Sequence, residues 1–254
     1  MKKAIIFFLV FVVIQLAVGY TVSGVMTLLE GAPQEQNPVA LIVTMAATSL
    51  ATIAVFLYMK WVTVSRSYVQ SRPWGVLCWC SLAAVGAIVP SMWLQEQMPE
   101  LLNLVKDEFD MILRNRWGYF VIGLLAPLAE EMVFRGAILR QLLESRFSPW
   151  TAIVLSALFF TLAHANPAQM PHAFLVGLLL GWMYWRTGSI VPAVAYHWVN
   201  NTIAYVVYNL YPDPDLKLVN VLGSEQYVLM AVAFSLCILL PALFQLNLRM
   251  RKTA

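Results

Sequence analysis

The run Ala129-Glu130-Glu131-Met132-Val133-Phe134-Arg135 sets two carboxylates and a guanidinium inside an apolar stretch. An ionised side chain at the centre of a bilayer costs about 2.5–3.5 kcal/mol, so these charges must be offset or used. Glu131 and Arg135 stand four apart and, on a helix, pair along one face. Glu130 points about 100° away around the same helix and needs a different neighbour. Phe160 and His164 share the i, i+4 spacing in "FFTLAHA", as do His197 and Asn201 in "HWVNN". A carboxylate, two imidazoles and an amide supply a base, proton carriers or metal ligands, and an oxyanion donor. Those are the parts needed to make water attack a peptide carbonyl.

Depth along the helices decides whether these groups can meet. The turn near Phe147 and Ser148 lies about 17 residues from Glu130 and about 17 from His164. In an antiparallel hairpin both side chains would then lie roughly 25 Å from that turn. His197 follows the Thr187-Gly188 turn by only about 9 residues, roughly 14 Å by the same rise. It matches only if the helices carrying Glu130 and His164 extend further into the cytosol, or if helix tilt absorbs the difference.

The elements that hold these residues are membrane spans. The chain has 254 residues, 61% hydrophobic and 11% charged, against roughly 25% charged in a soluble domain. The expected fold class is all-α: one polytopic transmembrane helical bundle of about eight spans, a single membrane-embedded domain over residues 1–254. The spans run approximately 4–28, 38–60, 74–95, 117–144, 149–165, 171–186, 189–210 and 226–247. The N-terminal run resembles a signal peptide with a weak site at Ala17-Val18-Gly19, but it continues to about Leu29 and is expected to stay as a first span. With the N-terminus inside, Lys2, Lys3, Lys60, Arg66, Arg72, Arg140, Arg146, Arg186, Arg249, Arg251 and Lys252 fall at one face, and Lys106, Arg114, Arg116 and Lys217 at the other. The positive-inside rule then puts both termini in the cytoplasm.

Residues 99–118 carry Leu101, Val105, Phe109 and Ile112 at helical spacing, which predicts an amphipathic helix in the outer interface. "PDPD" at 212–215 marks an outer turn. His172 follows Pro171 and is expected to be interfacial and uninvolved, and Gly177 and Gly181 permit close helix packing. The "NNT" at 200–202 is a sequon by chance, because it falls within a span. Cys78, Cys80 and Cys237 lie in apolar runs and suit neither a disulfide framework nor a thiolate zinc site. The small net charge of +3 gives no reason to expect nucleic acid as a partner.

The ordered motifs EExxxR (Glu130, Glu131, Arg135), FxxxH (Phe160, His164) and HxxxN (His197, Asn201) resemble those of a family of intramembrane proteases. That family includes the type II CAAX prenyl endopeptidases and the bacterial bacteriocin-processing, or Abi, homologues. The resemblance covers a protease-like core over residues 117–210 and extends to the paired glycines and the Arg-Thr-Gly-Ser turn at 186–189. It implies an endopeptidase that hydrolyses a peptide bond in a membrane-associated or lipidated peptide or protein. By the same resemblance Glu130 activates water with His164 beside it, His197 and Asn201 stabilise the oxyanion, and Glu131, Arg135 and Phe160 support the site. Some members are described as zinc enzymes, which would make His164, His197 and Glu130 the metal ligands. Two histidines and a carboxylate suit zinc, and a glutamate–histidine pair can also activate water alone, so both chemistries stand open. The expected partners are membrane lipid and a peptide or membrane-protein substrate, and the expected location is a bacterial inner membrane. The alternatives are a non-catalytic immunity or scaffold protein, and a proton-coupled transporter, for which no inverted repeat is evident.

Overall fold

A computed structural model of the chain describes residues 1–30, 37–63, 65–212 and 216–251. The described residues form helices and connecting turns, with no strand among them. In order these are α1 (Lys2–Glu30), α2 (Pro38–Tyr58), α3 (Arg66–Gln70), α4 (Trp74–Glu96) and α5 (Lys106–Arg114). Then comes a continuous helical rod made of a π-helical segment (Phe120–Leu125), α6 (Ala126–Glu131), a second π-helical segment (Met132–Leu139) and α7 (Arg140–Leu143). The chain continues with α8 (Pro149–Ala163), α9 (Met170–Thr187), α10 (Val191–Leu210), α11 (Leu218–Leu222) and α12 (Glu225–Arg249). Eight long helical passes result, each overlapping one of the eight expected spans. Four of them, α1, α2, α4 and α12, are long and apolar enough to cross a membrane on length and composition alone. Asp213 to Asp215 of the expected outer turn, and Lys252, lie outside the described residues.

Local chemistry fixes where the helices start and stop. Asn37 Oδ1 accepts from the amides of Val39 and Ala40, with Pro38 in the first turn. Ser148 caps α8 in the same way, accepting from Thr151 ahead of Pro149. α9 ends at Gly188, whose φ of 67° is left-handed and favours glycine. The helix expected within 99–118 is shorter than its apolar spacing suggested. Leu101 and Val105 precede it, and Ile112 is buried against Ile42, Val121 and Ile122, so α5 docks on the bundle as well as lying at its edge.

The rod is the hub of the fold. Every residue from Glu131 to Leu139 is buried, with α1, α2, α8, α9 and α10 packed around it. α8 and α9 approach closely where a Cβ on Gly177 would meet Ala157 Cβ at 3.0 Å and one on Gly181 would meet Ile153 Cγ2 at 3.0 Å. The GxxxG is therefore the α8–α9 seam. The three cysteines are free, with Cys80 buried and Cys78 and Cys237 exposed on the bundle's outer faces.

Candidate active site

Glu131 anchors the centre of the bundle. Its Oε1 accepts from Arg135 Nη1 at 2.8 Å, and both side chains are fully buried. The same oxygen lies 2.9 Å from His197 Nδ1 on α10. An ionised carboxylate can only accept, so Nδ1 carries the hydrogen and Nε2 is the remaining nitrogen. His197 Nε2 lies 3.8 Å from Glu130 Oε2. One imidazole thus stands between the two adjacent glutamates and touches each through a different nitrogen. Glu131 was expected to pair with Arg135, and its hold on His197 is an addition to that expectation.

Arg135 is positioned by three contacts. Besides Glu131 it donates from Nη2 to the Gly177 carbonyl at 3.1 Å, and its guanidinium sits 4.5 Å over the Phe160 ring. Phe160 in turn meets the His164 ring edge-on at 4.8 Å and the His197 ring at 5.9 Å. The phenyl ring therefore spaces Arg135 and both imidazoles. His164 ends α8, and its Nδ1 lies 2.8 Å from the Phe160 carbonyl. A carbonyl only accepts, so this nitrogen too carries its hydrogen and Nε2 is left. The two histidines are fixed as the same tautomer by different acceptors.

The depth of His197 has a definite explanation. A Cβ on Gly136 would lie 3.5 Å from Ile190 Cγ2, so the turn that opens α10 sits beside Gly136 rather than at the level of the 144–148 turn. Glu130 is six residues from Gly136, and His197 is seven from Ile190. The two therefore arrive at the same height, and the ends of the rod and of α8 project past the 188–190 turn.

Asn201 is placed by a proline. In the first π-helical segment the Ala126 amide bonds to the Val121 carbonyl, five residues back. The next such bond would run from residue 127 to the Ile122 carbonyl, but Pro127 has no N–H. Asn201 Nδ2 donates to that carbonyl instead, at 3.0 Å, which satisfies a buried acceptor. Asn200 Nδ2 reaches Asn201 Oδ1 at 3.3 Å. Asn201 thereby has its amide plane fixed and one Nδ2 hydrogen uncommitted.

Glu130, Phe160, His164, His197 and Asn201 all line one cavity of about 460 Å³. Asn200 and His172 line it as well, and so do Lys106, Phe109 and Asp110 of α5. His172, expected to be interfacial and uninvolved, lines the same space as His164 and His197. No spacing marks His172 in the sequence, whereas Tyr205 and Tyr208, also in the wall, follow His197 and Asn201 at helical intervals and were legible as one stripe. Glu131 and Arg135 are not in the wall and act from behind it. The sequon residue Asn200 is 6% exposed and points to packing and the cavity, not to glycosylation.

Residues 113–203 match the model of the family described as Rce1-like, type II CAAX prenyl endopeptidase Rce1-like. Residues 113–203 thus form an Rce1-like core. No curated protein and no solved structure matches the chain. At family level the Rce1-like core is that of a CAAX-type intramembrane protease. All three motifs fall inside the matched span, while α1 to α4 and α12 fall outside it.

A zinc site in the Rce1-like core would need its ligands to converge. Both histidines are oriented as metal-binding imidazoles often are, with Nδ1–H tied to a carboxylate or a carbonyl. The ligands do not converge, however: among the described residues no three His, Cys, Asp or Glu side chains come together in a group that could hold a metal ion. The expected set of His164, His197 and Glu130 therefore does not fit a metal as arranged.

Proposed function

We propose that this Rce1-like protein is an intramembrane endopeptidase that hydrolyses a peptide bond in a membrane-associated peptide or protein with water activated at Glu130. The observation that carries the reading is the meeting of Glu130, His164, His197 and Asn201 around one cavity. Glu130 takes a proton from water as the water oxygen attacks the scissile carbonyl carbon. His164, whose Nε2 is the free acceptor, orients that water beside Glu130. The carbonyl oxygen becomes an oxyanion and meets the uncommitted Nδ2 hydrogen of Asn201. When His197 carries two protons, Nδ1–H stays with Glu131 and Nε2–H becomes a second donor. Collapse of the intermediate breaks the C–N bond, and Glu130 returns its proton to the leaving amine. The second water proton, left on the new carboxyl group, passes to the amine, so the products are a carboxylate and an ammonium group, with no net proton held by the protein.

Glu131, held by Arg135, fixes the tautomer of His197 much as a carboxylate does in a catalytic triad. Loss of a general base removes about 10²–10⁴ of the rate, and loss of one oxyanion donor about 10²–10³. We read the protein as a multi-pass resident of a bacterial inner membrane. Peptide profiles of membranes from cells carrying wild type or Glu130→Ala test the function: fragments present only with wild type support it. Identical profiles, with both proteins inserted to the same level, sink it.

A further inference from the structure

The two ends of the bundle differ in charge, and the cavity belongs to one of them. At the end shared with both described termini, Arg140 donates to the Trp61 carbonyl at 2.9 Å and Arg186 to Asn247 Oδ1 at 2.7 Å. Those contacts bring the loops after α2, α7, α9 and α12 to one face. That face carries Lys60, Arg66, Arg72, Arg146, Arg186 and Arg249, while Glu144 is the one acidic residue among its described loops. At the other end, the Leu218 amide donates to Glu96 at 2.6 Å and Asn209 Nδ2 to the Leu113 carbonyl at 3.1 Å. That face carries Glu96, Glu100, Asp107, Glu108, Asp110 and Glu225 against four basic residues, Lys106, Arg114, Arg116 and Lys217.

The cavity reaches the acidic face. Its wall includes exposed Asn103, then Lys106 and Asp110 of α5, and Gln169 of the turn between α8 and α9. No described residue of the loops 59–73, 144–148 or 188–190 lines it. That geometry also follows from helix length. α8 has 15 residues, Pro149–Ala163, with His164 as its C-cap, about 22 Å along its axis, short of the roughly 30 Å hydrocarbon core. The turn after His164 therefore lies below the membrane surface and leaves a recess on that side. Buried Asn166 fastens α5's leading loop over this recess, accepting from the Leu104 amide at 3.0 Å and donating to Asn103 Oδ1 at 2.9 Å.

Cytoplasmic loops hold the excess of Lys and Arg, which assigns the arginine-rich face to the cytoplasm. We infer that the cavity opens to the non-cytoplasmic face, and that its substrate is an extracytoplasmic segment of a membrane-attached peptide rather than a cytosolic tail. The orientation stands on charge and geometry alone, whereas the substrate class rests on the proposed peptidase reading. Phe109, Leu113, Tyr205 and Tyr208 supply an apolar wall for the membrane-proximal part of such a peptide, above the polar floor at Glu130.

Single cysteines, placed in a chain whose Cys78, Cys80 and Cys237 are replaced by alanine, test both parts. Glu100→Cys lies on the acidic face, Glu144→Cys on the arginine-rich face and Gln169→Cys in the cavity wall. Each is treated with a membrane-impermeant maleimide in intact and in permeabilised bacterial spheroplasts, with the parent chain as background. The inference expects Glu100→Cys to label in intact spheroplasts and Glu144→Cys only after permeabilisation. The reverse pattern overturns it. Labelling Gln169→Cys from outside is expected to block peptide cleavage, and cleavage that continues at full rate after complete labelling overturns the substrate route. If no variant cleaves peptide before labelling, the peptidase reading has failed while the labelling pattern still decides the orientation.

Discussion

Replacing Arg135 by methionine removes a fully buried guanidinium and strands a fully buried carboxylate. Arg135 gives Glu131 a 2.8 Å bond, gives the Gly177 carbonyl a 3.1 Å bond and covers Phe160 at 4.5 Å. Without it Glu131 keeps only the His197 Nδ1 contact at 2.9 Å. Breaking a buried pair by deleting one partner costs about 3–5 kcal/mol, because the charge left behind is uncompensated. Against a total of roughly 5–15 kcal/mol for a folded protein, that is a severe loss. The neutral double variant Glu131→Gln/Arg135→Met behaves differently. No charge remains, methionine fills the space under Phe160, and the glutamine Oε1 still accepts from His197. The native pair also leaves Glu131 Oε2 and Arg135 Nε without hydrogen-bond partners, so it is not an optimal pair to lose. The double variant is therefore expected to be more stable than Arg135→Met by about 2 kcal/mol, within the range of coupling between contacting residues. Denaturant unfolding of the four proteins in mixed micelles, followed by circular dichroism, measures the cycle. An Arg135→Met cost below about 1 kcal/mol, or a double variant as unstable as the sum of the singles, would refute the reasoning.

Pro127→Ala restores the amide that π-helical pairing would give to the Ile122 carbonyl, in competition with Asn201 Nδ2. Turnover is expected to fall by up to the 10²–10³ or so of a lost oxyanion donor without a lower melting temperature, and an unchanged kcat would refute this. Gly177→Val forces side-chain atoms beyond a Cβ that already meets Ala157 at 3.0 Å. Overpacking there is expected to cost about 1–3 kcal/mol and to lower activity through the Arg135 contact, read as a thermal shift beside a cleavage rate. Because the candidate ligands do not converge on a metal, dialysis against a chelator is expected to leave cleavage intact. Activity lost with chelator and regained with zinc would contradict that.

Much of this architecture is legible in the sequence because the membrane demands it. Apolar runs of fixed length mark the helices, and the bias of arginine and lysine marks one end of the bundle. The polar exceptions mark the candidate site: Glu130, His164, His197 and Asn201 line one cavity. What the residues did not reveal depends on vertical offsets between helices. The height of His197 follows from Ile190 lying beside Gly136, a packing contact with no local signal. The cavity's placement beside α5 and the turn after His164 depends on where α8 stops, which no motif marks. Likewise, the link from Glu131 to His197 joins residues 66 apart, and the i, i+4 spacing of Glu131 with Arg135 accounted for the carboxylate without it.

The central claim is that Glu130 activates the water that cuts a peptide bond. Purified wild type and Glu130→Gln, reconstituted at equal density in bilayers, are given one cleavable membrane peptide in ¹⁸O-labelled water. Wild type is expected to release a fragment whose new carboxylate carries ¹⁸O, while Glu130→Gln, folded to the same melting temperature, is slower by about 10²–10⁴. A Glu130→Gln protein that cuts the peptide at the wild-type rate would contradict the account.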